Sequence, residues 1–317
     1  MLHTRGASGV TRRRLIGGGL AAATAVGVSR FTSAADVGPI DGFAVAGHGG
    51  VRIDPPEPTP AGTYDPRVLY VALYGHPGSP GLGVLGERSP EGSAAVARQI
   101  AAGYEGFGRP VVPCFELIGS VASAGAGGDG DYSNEFPTST FQPWIDVAAA
   151  NGFHVMLDLQ SGRSRFPDQA REYEEVIAQP QVSLALDPEW RGDAPFRPGG
   201  GRVGTVDAAE VNETIDWLDA LIVRRNLPAK LLIVHQFTPS MITNKAAIRG
   251  TPRVQVMLHM DGFGSLELKR ASFDRMLVDL PAGAVVGWKN FFDEDRPTPT
   301  PAQTMAARPA PSYVSFQ

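Results

Sequence analysis

The sequence has 317 residues, of which 43% are hydrophobic, and its formal net charge is −5. This length and apolar content are typical of a globular chain that can bury a large core. No basic stripe lies outside residues 1–30, which argues against nucleic acid or an anionic membrane surface as the partner. The single cysteine, Cys114, cannot form an internal disulfide, so we expect the core to supply the stability.

The first 35 residues have the features of an export signal. Residues 11–16 (TRRRLI) resemble the twin-arginine signature, and small residues at 32–35 offer a cleavage site. The apolar stretch 15–28 is too short to span about 30 Å of hydrocarbon. We therefore predict a signal peptide over 1–35 and a secreted, extracellular or wall-associated protein. Residues 36–64 are rich in Gly and Pro and are interpreted as a lead-in segment.

From residue 65 onward, short apolar runs alternate with segments of helical period. Helices are predicted over 89–104, 140–150, 167–178, 207–225 and 265–280, the first capped by Ser89. The apolar runs, each predicted to be a strand, are 68–74, 111–118, 153–157, 182–186, 231–234, 254–258, 284–287 and 313–317. Such alternation indicates a parallel sheet, and an eightfold repeat favours a single (β/α)8 barrel over 65–317 with an irregular last unit.

An open, doubly wound sheet is the alternative fold. Residues 81–86 fit the spacing Gly-x-Gly-x-x-Gly of a dinucleotide-binding turn. They lie well past the end of the first strand, however, and no acid follows at the place expected for a ribose contact. The barrel remains the favoured interpretation.

Nearly every predicted strand ends in a side chain that can bind or ionise. In a barrel these ends converge on one mouth, where the active sites of this fold lie. The candidate residues are His76, Glu116, Asp158, Gln160, Asp187, Glu189, Trp190, His235, Gln236, His259, Asp261, Trp288 and Lys289.

Asp187 and Glu189 follow the fourth strand directly. Side chains of a strand alternate between faces, so we expect both acids on the same face with backbones roughly 6–7 Å apart. Two neighbouring carboxyl groups can hold different pKa values, as acid/base chemistry requires.

Three chemistries compete for the mouth. A metal site could use His76, His235, His259 and Asp261, but none of them has the spacing of a known metal motif. Nucleophilic catalysis has no Gly-x-Ser-x-Gly turn to support it. Carboxylate catalysis fits best, because acids from neighbouring strands occur with amides and aromatic residues that suit the hydroxyl groups and ring faces of a sugar. We expect no metal and no other cofactor.

The sequence Asp187-Pro188-Glu189 resembles the Asp-x-Glu of barrel lysozymes and, more distantly, of chitinases. In those families the Glu protonates the glycosidic oxygen, which implies that Glu189 is the general acid and Asp187 its electrostatic partner. Asp158 is similar to the acid that they keep on the preceding strand, and the resemblance implies a base or nucleophile there. The whole chain, with its export signal and final Val-Ser-Phe-Gln, resembles secreted actinobacterial proteins.

These features predict a secreted glycoside hydrolase that acts on a cell-wall or extracellular polysaccharide. Trp190 and Trp288 would stack on sugar rings, His76 would hydrogen-bond the substrate, and Lys289 would pair with a carboxylate of the mouth. Asp261 or Glu116 could replace Asp158 as base. We expect a monomer with a glycan as its partner, without nucleic acid or membrane. The alternatives are a noncatalytic carbohydrate-binding barrel and a metal-dependent hydrolase.

Overall fold

The computed structural model describes residues 62–317. The predicted signal peptide and almost all of the predicted lead-in lie outside these residues. Residues 62–67 close the barrel at the N-terminal ends of its strands. The backbone carbonyl of Gly62 lies 2.8 Å from Nδ1 of His154, and the backbone N–H of Asp65 donates to the Tyr70 hydroxyl at 2.7 Å. The chain therefore enters the barrel at the end opposite the predicted mouth.

Eight parallel strands form a closed barrel, as predicted. The first strand pairs on one side with the second and on the other with the last, which closes the sheet. The barrel strands are β1 (Leu69–Gly75), β2 (Val111–Ala122), β4 (His154–Leu159), β5 (Val182–Leu186), β7 (Lys230–Gln236), β9 (Val254–Met260), β10 (Val285–Asn290) and β11 (Tyr313–Phe316). Three short strands lie outside the barrel: β3 (Ser133–Glu135), β6 (Val206–Asp207) and β8 (Ile242–Thr243).

Helices surround the barrel between the strands. They are α1 (Pro90–Ala102), α2 (Gln142–Asn151), α3 (Phe166–Glu172), α4 (Glu174–Ile177), α5 (Ala208–Arg225), α6 (Leu266–Leu277) and α7 (Pro301–Met305). Ser89 caps α1 as predicted, because its hydroxyl accepts from the backbone N–H of Gly92 at 3.2 Å. Within the residues described, no helix is both long and apolar enough to cross a membrane.

One predicted helix is divided in two. The segment expected to be a single helix over 167–178 is interrupted at Tyr173, whose backbone leaves the helical region. Its buried hydroxyl donates to the carbonyl of Gly119 at 2.9 Å and accepts from the N–H of Phe136 at 3.0 Å. These contacts with β2 and with the segment after β3 hold Tyr173, so tertiary packing overrides the local helical preference.

Strand alternation divides the core into two layers. The larger layer lies between the outward faces of the strands and the helices, and includes Phe115, Leu157, Leu232 and Trp288. The smaller layer fills the barrel with Tyr70, Cys114, Met156, Ala185, Leu231, Ile233, Met257 and Tyr313 among its members. Toward the C-terminal ends of the strands, the inward positions change from apolar to ionisable residues.

Candidate functional site

A small pocket opens at the C-terminal end of the barrel, where the candidate residues were predicted to meet. Its volume is about 30 Å³, which is space for roughly two water molecules. Six of the predicted site residues line it. The complete lining is Tyr74, Gly81, Leu82, Ile118, Gln160, Asp187, Glu189, Trp190, Asp261, Lys289 and Gln317.

A tight turn after β5 brings Asp187 and Glu189 together. The strand ends at Leu186, and Asp187 caps a 3₁₀ turn over Pro188–Trp190 by accepting from the N–H of Glu189 at 3.2 Å. Pro188 suits the first position of this turn, where its fixed φ is already correct and no N–H is needed. The predicted reason, alternation along a strand, is therefore wrong, although both acids do face the same pocket.

Asp261 completes a group of three buried carboxyl groups. Asp261 follows β9. One carboxyl oxygen from each of Asp187, Glu189 and Asp261 lies within 4.8 Å of the other two. The Lys289 ammonium lies 3.4 Å from Oδ1 of Asp261 and 3.3 Å from the centre of the Tyr74 ring. The predicted pairing of Lys289 with a carboxylate of the mouth is confirmed.

A second layer of ionisable side chains, which we call the floor, lies beneath the pocket and consists of Glu116, Asp158, His235 and His259. His235 is its centre: Nε2 lies 3.0 Å from Oε1 of Glu116 and 3.8 Å from Oδ1 of Asp158. The other ring nitrogen, Nδ1, lies 3.5 Å from Oδ2 of Asp261. His235 therefore links the floor to the pocket.

Tyrosine hydroxyl groups hold the floor carboxylates in place. Tyr74 donates to Oδ2 of Asp158 at 2.8 Å, and Tyr313 donates to Oε2 of Glu116 at 3.2 Å. The amide of Gln160 donates to the Tyr74 hydroxyl at 3.3 Å. Tyr74 thus connects a pocket residue, Gln160, with a floor residue, Asp158.

Burial and neighbouring charges shift the pKa values of these groups strongly. Burial raises the pKa of Asp158 to about 6, against the opposing effect of His235. Burial, together with the charges of Asp158 and Glu189, raises the pKa of Asp187 well above its usual range. Burial alone would lower the pKa of His235, but the surrounding carboxylates outweigh it and raise that pKa well above its ordinary value.

The charge balance requires protons to be held within this cluster. The cluster has five carboxyl groups and two basic side chains, none more than 2% exposed. If every group were ionised, these seven side chains would together carry a net charge of −3. Such an excess is very unfavourable in a medium of low dielectric constant. Some of the carboxyl groups therefore stay protonated near neutral pH, which is the condition for a general acid. The residues counted are Glu116, Asp158, Asp187, Glu189, Asp261, His235 and Lys289.

The floor residues were predicted to contact the substrate or to react with it, but each of them is fully buried below the pocket. Nε2 of His259 lies 2.8 Å from the Ser315 hydroxyl, and its ring packs edge-to-face on His235. Burial and the His235 charge lower the pKa of His259 well below its usual value. Glu116, His235 and His259 therefore lie below the lining of the pocket, and their predicted contact with substrate stays a prediction.

Three other predicted site residues lie away from the pocket lining. Trp288 lies outside the barrel, where it packs on Phe273 of α6 and donates to Oδ1 of Asn290 at 2.9 Å. Gln236 also points outward and accepts from the Lys245 ammonium at 3.2 Å. His76 lies in the loop after β1, with its ring 4.2 Å from that of Phe136, and does not line the pocket.

The glycine pattern at 81–86 shapes the wall of the pocket. Two 3₁₀ turns, Pro80–Leu82 and Val84–Glu87, meet at Gly83, which has φ +132°. A Cβ on Gly83 would lie 2.4 Å from the carbonyl oxygen of Tyr74, so only glycine fits against the end of β1. The motif therefore serves close backbone packing.

Among residues 62–317, the pocket carboxylates form the buried group of acids that could hold a metal ion. Their three oxygens would suit a hard cation such as Mg²⁺ or Ca²⁺ rather than Zn²⁺. The Lys289 ammonium, 3.4 Å from Asp261, competes for the same negative charge. The histidines predicted as possible ligands belong to the floor or, for His76, to the loop after β1.

Sequence reasoning missed Gln317 as a pocket residue and the contact between Tyr74 and Asp158. The period of two along β1 contained a signal for the Tyr74–Asp158 contact, because Tyr74 has the same parity as the inward-facing Tyr70.

No protein-family profile matches the chain, and no curated protein is similar to it in sequence. What the protein does therefore has to be inferred from the mouth itself.

Proposed function

We propose that the protein is a secreted glycoside hydrolase that cleaves a cell-wall or extracellular polysaccharide. The observation that carries this proposal is the convergence of Asp187, Glu189 and Asp261 at the C-terminal end of the barrel. Glycosidases use a pair of carboxyl groups, one protonated and one ionised, on either side of the scissile bond. A buried group of three acids beside one lysine can hold that mixed protonation state.

Glu189 is the proposed general acid and Asp261 the nucleophile. Glu189 gives its proton to the glycosidic oxygen as the bond to the anomeric carbon breaks, and Asp261 forms a bond to that carbon. Glu189 then takes a proton from the water that displaces Asp261. Asp261 replaces Asp158 in this role because Asp261 lines the pocket, whereas Asp158 lies beneath it and accepts from the Tyr74 hydroxyl.

The spacing of the carboxyl groups favours retention of configuration. Retaining enzymes place their two carboxyl groups about 5–5.5 Å apart, whereas inverting enzymes leave about 6.5–9.5 Å for a water molecule. One oxygen of each pocket carboxyl group lies within 4.8 Å of one oxygen of each of the others, a closer approach than the inverting separation. Nuclear magnetic resonance of the first product formed would report the anomer directly.

The experiment is to measure reducing ends released from a panel of bacterial wall glycans by the wild type and by Glu189→Gln. We expect kcat/KM to fall by about 10²- to 10⁴-fold, because the variant cannot donate the proton. Glu105→Gln is the matched control, since Glu105 is exposed in the segment between α1 and β2 and does not line the pocket.

Two results would contradict the proposal. Equal activity of Glu189→Gln and wild type would exclude Glu189 as the acid. Hydrolysis that EDTA abolishes and Ca²⁺ or Mg²⁺ restores would point to a metal-dependent hydrolase instead.

A noncatalytic carbohydrate-binding barrel is the second candidate, favoured by the small volume of the pocket. Under that alternative, wild type binds a wall glycan without releasing reducing ends, and Glu189→Gln binds equally well. Trp190→Ala would then lose affinity, because Trp190 is the tryptophan that lines the pocket.

A further inference from the structure

A larger groove continues from the pocket across the end of the barrel. Its volume is about 600 Å³, within the roughly 300–1,000 Å³ of ordinary ligand sites. It shares Gly81 and Gln317 with the pocket, so the two spaces meet at these residues. The lining consists of Pro80, Gly81, Gly83, Val84, Glu87, Arg88, Val96, Phe292, Asp293, Glu294 and Gln317.

An exposed aromatic ring lies in the wall of this groove. Phe292 is 42% exposed, and one face of its ring stacks on Phe316 with centroids 5.3 Å apart and planes inclined by 28°. Stacking on Phe316 holds the Phe292 ring in position without a ligand. An ordered, exposed aromatic face is suited to the apolar face of a pyranose.

Polar groups complete the groove. Oε1 of Gln317 is buried at the junction with the pocket and has no hydrogen-bond partner among residues 62–317, so it can accept from a sugar hydroxyl. The backbone of Gln317 is fixed, because its N–H donates to Asn290 and its carbonyl accepts from Phe292. The backbone of Gln317 is therefore held at the junction of the pocket and the groove.

The charges of the groove select the class of ligand. Glu87, Asp293 and Glu294 lie in its lining, and the one basic residue there, Arg88, pairs with Glu87 at 2.9 Å. With three acids and one base, the lining has a formal charge of −2, which disfavours uronic acids and sulfated sugars. Uncharged sugars are compatible with it.

We propose that this groove binds the uncharged sugar units next to the scissile bond, with Phe292 as their stacking platform. The proposal rests on the proposed glycosidase function. It adds the direction in which the bound polysaccharide lies and the charge class of that substrate. Bound in this way, a polysaccharide runs from the pocket between the turns over 80–87 and the segment 292–294. The pocket itself receives only the reacting atoms.

The test is calorimetric binding of cellohexaose, chitohexaose and a galacturonic acid hexamer to Glu189→Gln, which cannot consume them. We expect at least one neutral hexamer to bind and the acidic hexamer to bind at least tenfold more weakly. Adding Phe292→Ala should weaken binding of the neutral hexamer about tenfold, whereas Phe292→Tyr should restore it. Val278→Ala, at another exposed apolar side chain that is not part of the groove, is the control and should leave affinity unchanged.

The outcomes separate this proposal from the proposed function. If Phe292→Ala binds the neutral hexamer as tightly as its parent while melting at the same temperature, the platform is excluded and the glycosidase proposal stands. If no hexamer binds but wild type releases reducing ends from wall glycans, the groove proposal again fails alone. If no hexamer binds and no ends are released, both fail.

Discussion

The two ends of the barrel bury titratable side chains in different ways. At the N-terminal end, Lys230 donates to the carbonyls of Gln179 at 3.0 Å and Val182 at 2.5 Å, and burial lowers its pKa to about 7. Burial likewise lowers the pKa of His154 to about 4. Groups at this end are hydrogen-bonded to backbone and shift toward their neutral forms.

At the C-terminal end, acids and bases are buried next to one another. His235 lies within 4 Å of three carboxyl groups, and Lys289 lies 3.4 Å from one of them. The carboxylates there maintain the positive charge of His235 against burial, although burial still moves Asp158 and Asp187 toward their neutral forms. The comparison indicates that similar burial lowers the pKa of bases whose partners are backbone groups, whereas charged partners raise the pKa of His235.

Replacing His235 should have the largest effect on stability. The variant His235→Asn removes the cation between Glu116, Asp158 and Asp261, and breaking a buried ion pair costs about 3–5 kcal/mol. The pKa of His235 is raised on folding, so its stabilisation is complete below about pH 6.5 and is lost only as pH rises through the folded pKa. Urea unfolding at pH 7 measures the loss; a change below 1 kcal/mol would contradict the assigned charge.

Asp158 should make stability fall with rising pH. Its pKa rises from 3.8 unfolded to about 6 folded, so the stabilisation is complete below pH 3.8 and is lost as pH rises through about 6. At about 1.4 kcal/mol per pKa unit, the loss is on the order of 3 kcal/mol. Asp158→Asn should remove this slope from urea unfolding curves recorded between pH 4 and pH 7. An unchanged slope would assign the pH dependence to other groups.

Matched lysine substitutions compare the two ends directly. Lys289→Met removes the ammonium beside Asp261, which should cost about 3 kcal/mol or more at pH 8. Lys230→Met leaves only two backbone carbonyls without their donor, which should cost about 1–3 kcal/mol. The expected difference in free energy of unfolding is about 2 kcal/mol; equal losses would show that the two ends treat charge alike.

The sequence was sufficient for the barrel because period-two and period-3.6 patterns alternate clearly along the chain. It was less informative about the direction of single side chains. Gln236 adjoins the inward-facing His235, and Trp288 adjoins the inward-facing Lys289, so alternation allows only one member of each pair to face the mouth. That signal was present in the sequence and could have excluded Gln236 and Trp288.

Other features depend on contacts that no local pattern contains. Tyr173 divides its helix because its hydroxyl bonds to residues 37 and 54 positions away in the chain. Asp187 and Glu189 meet Asp261 through a turn that Pro188 begins, and the depth of Asp158 below Tyr74 follows from closure of the whole barrel. The division of the acids between pocket and floor could therefore not be predicted from sequence.

The positions of the two chain ends described here decide how the protein should be attached to a support. Residue 62 lies at the closed end of the barrel, while Gln317 lines both the pocket and the groove. An affinity tag fused after Gln317 would begin in the lining of both spaces and obstruct them. Immobilisation through the segment before residue 62 leaves the open end facing an insoluble polymer.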